Sequence, residues 1–289
     1  MAMKREGRKV VDVRFRPPTG GFLGMTMYQD KPRTAGMARA MGLDLAPSTL
    51  EESMPLLVEE MDSIGEYVGC VSGLMRGVDR TWGWIGNDEI HAIVEADPEH
   101  FVGIGTVGGH DRGAAFDDID RCIGEYGFKA IVMEPGTQHE PMYANDPRLY
   151  PIYGKCADLG VPVFLLAGGN GGPDVSYSDP VHVERLAIDM PELKIVVLHG
   201  GWPWVTQVLH VAFRRPNIYI SPDMYLSFPG GEQYIQAANT FLGERMLYGT
   251  SYPFAPLVGY FEKYLVLGFD DAVLDNLLYE NARKLLQLP

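Results

Sequence analysis

The chain has 289 residues, 46% of them hydrophobic and 21% charged, an ordinary globular mixture that argues against wholesale disorder. Lys and Arg number 24 against 38 Asp and Glu, a formal charge of −14, which makes nucleic acid and anionic bilayers poor electrostatic partners. No run of about 18 apolar residues offers a membrane span, and the scattered cysteines Cys70, Cys122 and Cys156 form neither a CxxC metal pair nor a disulfide framework.

The first element in chain order is a short apolar run, Val10–Val13 (VVDV), read as a buried strand. Residues 16–47 follow, rich in Gly, Pro, Met and Arg, and read as a long irregular loop of the lid or binding type. A helical pattern covers Leu50–Ile64, with Leu56, Leu57, Met61 and Ile64 near helical spacing. Strands are expected at Tyr67–Val71 and Phe101–Val107. A helix with Phe116, Ile119 and Ile123 on one side follows at Gly113–Tyr126, stopped by Gly127. Strand Lys129–Met133, helix Pro147–Leu159, strand Val161–Leu166 and helix Pro180–Met190 continue the rhythm. It closes with strand Lys194–Leu198, helix Trp202–Phe213, strand Ile218–Ser221, helix Glu232–Leu242, strand Met246–Gly249 and helix Asp270–Leu286. The last helix has Asp270 and Asp271 at its start and Arg283 and Lys284 near its end, as the helix dipole prefers.

Eight apolar strands without polar alternation, separated by amphipathic helices, predict an α/β fold of the (β/α)8 TIM-barrel kind, spanning 1–289 as one domain. A doubly wound sheet is the rival, but no GxGxxG follows the first strand. The opening run MAMKREGRKVVDV has basic residues with no apolar stretch behind them, so no secretory leader is expected. A reduced, cytoplasmic setting follows from the cysteine usage, and a homo-oligomer is compatible with the sequence.

In a barrel the residues just past each strand face the active-site mouth. Here they are Arg14-Phe15-Arg16 after strand one, Glu134 after strand four, Leu166 after strand five, His199-Gly200-Gly201-Trp202 after strand six, Asp223-Met224-Tyr225 after strand seven and Thr250-Ser251-Tyr252-Pro253 after strand eight. These pieces resemble the amidohydrolase superfamily, in the amidohydrolase-2 branch that holds decarboxylases and hydrolases of small aromatic and unsaturated acids. VDVRFRPP stands where that family has D-x-H-x-H, and GVPVFLLAG where it has the strand-five His. KIVVLHGGWPW stands around the strand-six His, and LYGTSYP where the family has G-[ST]-D-[YW]-P. The resemblance runs from strand one to strand eight and implies the barrel fold.

The departures bear on chemistry. The resemblance implies a divalent metal held by the strand-one His pair, the strand-five His and the strand-eight Asp, yet those positions read Arg14, Arg16, Leu166 and Ser251. Arginine stays protonated and donates no lone pair, and leucine has no donor atom. No metal and no other cofactor is therefore expected, the alternative being a relocated site on Glu134, His199 and Asp223.

Arg14 and Arg16 lie two apart on a strand and so point the same way. They read either as a fork for a substrate carboxylate or as partners of Glu134 or Asp12. His199 reads as the proton-transfer residue or as a satisfied core histidine. Glu134 is a base or the counter-charge to the arginines, and Asp223 orients His199 or caps a loop. Tyr225, Ser251, Tyr252 and Trp202 are read as pocket-lining, substrate-binding residues, with barrel packing as the alternative; His110 and His139 are second-rank candidates. The expected function is metal-independent hydrolysis or decarboxylation of a small carboxylated compound. The alternative is a non-catalytic protein that binds small anions on the same barrel.

Overall fold

The computed structural model describes residues 7–74 and 82–289; Met1–Glu6, where part of the leader expectation falls, lie outside them. Seven parallel strands pair strictly in sequence order: β1 Arg8–Phe15, β2 Gly65–Ser72, β3 Phe101–Thr106, β4 Ala130–Met133, β5 Val163–Leu166, β6 Ile195–Leu198 and β7 Ile218–Ile220. Each contains or trims one of the apolar runs expected from the sequence.

The eighth run, Met246–Gly249, does not form a strand, yet it still joins the last strand to the first. Leu247 N–H donates to Ile220 O at 2.9 Å and Ile220 N–H to Arg245 O at 2.9 Å on one side. Val13 N–H donates to Tyr248 O at 3.0 Å on the other, and Phe15 bridges Tyr252 in parallel. The ladder to β1 is interrupted because a side chain takes the backbone's place: Asp12 Oδ1 accepts Thr250 N–H at 3.0 Å. The seven strands and this segment close as a TIM barrel, with helices between successive strands.

Two apolar layers follow from strand alternation. Val11, Val13, Cys70, Ile104, Val132, Phe164, Val196 and Leu198 pack together in the lumen, with Ala282 and Leu285 of the C-terminal helical segment against them. Val10, Phe15, Tyr67, Phe101, Ile131, Leu165 and Val197 face the helices. In β1 the alternation breaks. Val11 and Val13 are luminal but Phe15 is on the helix side, and the pairing register with β2 shifts between Asp12 and Phe15. Such a bulge re-aims the side chains beyond it, and here it turns Arg14 and Arg16 toward the barrel mouth. The Asp12 carboxylate holds it in place by accepting Arg14 N–H at 3.0 Å.

Residues 16–47 are more ordered than their composition predicts. They form a 3-10 turn at Gly20–Gly24 and helices at Thr26–Gln29 and Lys31–Ala40, with Phe22, Met25, Met27 and Tyr28 buried. The methionines and aromatics of the segment anchor it on the barrel, and Tyr28 Oη donates to Arg16 O at 2.7 Å. The predicted helix Leu50–Ile64 is split, because Ser53 caps a new helix at Met54–Asp62 with Pro55 in its first turn. The helix at Asn87–Ala96 gives bounds to the helical pattern around His91, and a helix at Leu257–Tyr264 has no counterpart in the sequence reading. Among the described residues no helix is long and apolar enough to cross a membrane.

Candidate active site

The strand ends converge on a cavity of about 110 Å3, open to solvent, bordered by Arg14, Arg16, Glu134, Leu166, His199, Tyr225 and Ser251. An enclosed apolar cavity of ~150 Å3 admits benzene, so the scale is that of one small ring. Residues 16–47 supply Met27, Arg33 and Met37 to the same wall, and Leu74, Trp82, Thr137, Asn170, Met224 and Phe254 complete it.

Arg14 Nη2 donates to Glu134 Oε1 at 2.7 Å, and Arg16 Nη2 stands 3.8 Å from the same oxygen. All three side chains are buried. Asp12, the other partner considered for the arginines, is taken up elsewhere. Its carboxylate accepts Tyr67 Oη at 2.8 Å, Thr250 Oγ1 at 2.5 Å and the Arg14 and Thr250 N–H groups. Arg14 Nε and Nη1 and Arg16 Nε have no acceptor among the described residues. Burial, joined by the repulsion of Arg14, lowers Arg16 to about 9. Burial alone would raise Glu134, but the charges of Arg14 and Arg16 outweigh it and hold the carboxyl below its ordinary value.

Asp223 fixes His199. Its Oδ2 accepts the His199 backbone N–H at 3.0 Å and lies 2.9 Å from Nδ1, with the ring N–H direction off line, so the Nδ1 contact is electrostatic in this geometry. Ser221 Oγ donates to Asp223 Oδ1, and Tyr260 Oη to the Asp223 carbonyl. Gly249 makes the room, because a Cβ there would lie 2.3 Å from Asp223 Oδ1. Burial holds the His199 imidazole below its ordinary pKa against the pull of Asp223. Burial would raise Asp223, yet its contacts with His199 and Ser221 keep it below the usual carboxylate range. The pair therefore rests as ionised carboxylate and neutral imidazole. With Nδ1 on Asp223, the Nε2 edge is left for the cavity.

His199, Asp223 and Ser251 have φ of 57°, 52° and 55°. Left-handed backbone in three non-glycine residues, just past β6, near the end of β7 and just past the eighth run, is stored strain of the kind that clusters at functional sites. Ser251 Oγ is buried and has no partner among the described residues. Tyr225 packs against His199 with ring centroids 5.0 Å apart, and burial and the Asp223 charge push its hydroxyl up to about 12.

Of the residues singled out from the sequence, Arg14, Arg16, Glu134, His199, Tyr225 and Ser251 border the cavity, and Asp223 supports His199 from behind. Trp202 and Tyr252 do not border it. Trp202 stacks on Tyr225 with ring centroids 5.2 Å apart. Tyr252 is fully buried, stacked on Phe15 at 4.9 Å and hydrogen-bonded to Ser48 and Thr49. His110 and His139 also lie off the cavity. Phe254, an apolar wall residue by its place beside Tyr252 and Pro253, does border the cavity, whereas Arg33 and Trp82 carry no such expectation. No local signal marks Arg33, which sits on a helix with little amphipathic character.

These residues do not fit a divalent cation. The space that the resemblance assigns to a metal is bordered by two guanidinium groups, one already on Glu134, and a dication there would meet two like charges. Glu134, His199 and Asp223 do not form the relocated cluster either, since each carboxylate is committed to a different cation or donor. Among the described residues no group of three or more His, Cys, Asp or Glu side chains is placed to hold a metal ion.

A closed barrel with a cavity built from its C-terminal strand ends defines a TIM-barrel protein of the layout used by barrel enzymes. The chain belongs to the amidohydrolase family of the amidohydrolase-2 type, whose family model matches residues 85–288. It is 40% identical to an uncharacterised TIM-barrel protein from Bordetella bronchiseptica, with a TM-score of 0.91 over 97% of this chain and 99% of that one. It is 28% identical over 237 residues to the 2-amino-3-carboxymuconate-6-semialdehyde decarboxylase of Dictyostelium discoideum, a match that takes in 70% of this chain and 65% of that relative. A dihydroxybenzoic acid decarboxylase from Polaromonas, solved with bound manganese and 2-nitroresorcinol, superposes with a TM-score of 0.68 at 18% identity, over 98% of this chain and 97% of that one. At that identity the likeness concerns the fold.

Proposed function

We propose that this protein is a carboxy-lyase or hydrolase that acts, without a metal, on a small carboxylated ring or unsaturated acid. The observation that carries the reading is the pair of buried guanidiniums that border the cavity, Arg14 and Arg16, which share a single carboxylate and keep N–H groups with no acceptor among the described residues. Buried N–H groups are nearly always satisfied, and a carboxylate is the planar, two-oxygen acceptor that guanidinium matches best. Kinship with a decarboxylase supports the same chemistry.

In this reading Arg14 and Arg16 bind the acid group, and Glu134 sets their geometry rather than acting as a base. Neutral His199, held by Asp223, takes a proton through Nε2 from an ionisable substituent of the substrate or from water. On decarboxylation the electron pair of the broken C–C bond passes to the substrate carbon, which receives that proton, and carbon dioxide leaves. On hydrolysis the same nitrogen takes a proton from water, the hydroxide oxygen bonds to the substrate's acyl carbon, and the oxygen or nitrogen expelled from that carbon leaves with the proton from Nε2. Tyr225 and Ser251 supply hydroxyls at the wall. A protein that only binds anions has no need of a neutral histidine braced by a buried carboxylate, so the catalytic reading is preferred. The three cysteines are free and buried, which suits a reducing compartment such as the cytoplasm.

The test is an assay of carbon dioxide release and of acid disappearance over hydroxybenzoic and unsaturated dicarboxylic acids, in the presence of EDTA. Turnover that is lost in Arg16→Met and His199→Asn supports the reading. Turnover that appears only with added manganese or zinc overturns it.

A further inference from the structure

The cavity has a second cationic pole. Arg33, on the helix Lys31–Ala40, borders the same space as Arg14 and Arg16 but from the rim, in an exposed position. Its guanidinium lies over the Trp82 ring, 4.5 Å from the centroid, and Trp82 in turn meets Phe254 edge to face at 6.3 Å. The stack fixes a flexible side chain at the mouth, so less entropy is lost when it binds an anion. Asp30 caps the helix through Arg33 N–H at 3.1 Å and fixes the backbone beneath it. No carboxylate among the described residues pairs with the Arg33 side chain. Both acids near the floor are committed, Glu134 to the arginine pair and Asp223 to Ser221 and His199.

We infer that Arg33 is a specificity residue and that the substrate is a dianion, a compact ring or unsaturated chain with one acid group on the Arg14–Arg16 floor and a second at the Arg33 rim. The inference rests on the reading above that the floor pair binds a carboxylate. A monoanion satisfies one pole, whereas a molecule with acid groups at opposite ends satisfies both and lays its apolar body along Met37, Trp82 and Phe254.

Binding of benzoate and of isophthalate, measured by calorimetry at constant ionic strength, tests this. Wild type is expected to bind isophthalate more tightly than benzoate. Arg33→Met should reduce the ratio of the two affinities about threefold to tenfold, as for a partly solvated charged contact. Arg39→Met, which removes the same charge from an exposed position on that helix, should leave the ratio unchanged. Arg16→Met should weaken both ligands together. Equal wild-type affinities, or a ratio unchanged in Arg33→Met or equally reduced in Arg39→Met, overturn the inference. If instead Arg16→Met binds both acids as wild type does, the floor reading falls, whatever Arg33 does.

Discussion

Arg14 Nη2 and Glu134 Oε1 meet at 2.7 Å, tying the end of β1 to the end of β4, with only 4% and 7% of the two side chains exposed. Arg16 shares the same oxygen at longer range, so one carboxylate balances two buried cations. The arrangement holds together, but it leaves positive charge to spare beside the cavity.

Removing that carboxylate should be severe. Glu134→Gln keeps the size and one hydrogen-bond acceptor while leaving two buried guanidiniums with no counter-charge. Breaking a buried pair from one side costs roughly 3–5 kcal/mol, and the retained amide acceptor places the expectation toward the lower end. Urea unfolding should show the loss, and saturating benzoate should recover part of it by restoring an anion. A variant as stable as wild type would show that Glu134 does not balance the arginines.

Arg16→Met tests the acid-binding role. It removes the charge with little loss of length, and the affinity for benzoate should fall by roughly 1.5–3 kcal/mol, as for a hydrogen bond to a charged group. Calorimetric titration of the folded variant reads this directly, and unchanged affinity would end the fork reading.

His199→Asn should keep the fold and lower turnover by roughly 10²–10⁴-fold, the span of general acid–base catalysis. Because burial holds the imidazole below its ordinary value near 6.5, the acid limb of the wild-type kcat/KM profile should have its midpoint below that value, as Nε2 is protonated. The sign for stability agrees. The unfolded chain takes up the proton first, so His199 makes the fold less stable as pH falls below about 6.5. A variant with the wild-type rate would make His199 a structural remnant.

Asp12 gives a separate pH signature. Burial raises its carboxyl to about 7, against four donated hydrogen bonds. An acid whose folded pKa exceeds its unfolded value near 3.9 holds its proton more tightly in the folded state, so its contribution to stability declines as pH rises between roughly 4 and 7. Asp12→Asn removes this titration. The stability of wild type minus that of Asp12→Asn, from unfolding curves at several pH values, should therefore shrink across that window. Asp12→Ala should cost more at every pH, because it orphans the Arg14 and Thr250 N–H groups at roughly 1–3 kcal/mol each.

Metal content is checked independently of activity. Elemental analysis of the purified protein should find far less than one zinc, manganese or iron per chain, and dialysis against EDTA should leave its melting temperature in place. About one metal per chain, removed together with stability, would contradict the donor chemistry of the cavity.

Much of the architecture was readable because it rests on local pattern. Buried parallel strands lose polar alternation, so the runs that became β1 to β7 stand out, and glycine or proline stops mark several helices between them. Two helices lack bounds in the sequence reading although their signals are present. Asn87–Ala96 has Ile90, Ile93 and Val94 on one side with Asp88 and Glu89 in its first turn, and Leu257–Tyr264 carries Leu257, Tyr260, Phe261 and Tyr264 at helical spacing. The segment 16–47 was misread as irregular because its Gly and Pro content masked apolar anchors that act only against the barrel.

The sequence alone determined the strand rhythm, the overall acidity, and the loss of lone-pair donors where the resemblance expects a metal, because those depend on residue type and spacing along the chain. It also put Arg14, Glu134 and His199 at strand ends. Only the tertiary structure decided which way the side chains face and what they meet. The bulge between Asp12 and Phe15 reverses the alternation and turns Arg14 and Arg16 inward, a two-residue event with no signature in composition. Asp12 reaches across 238 positions to Thr250 and spends its carboxylate on barrel closure instead of on an arginine. Tyr252 turns into the packing under Phe15 while Arg33 arrives at the mouth from a helix. Orientation and partner choice depend on contacts between segments far apart in the chain, and those form only when the barrel closes.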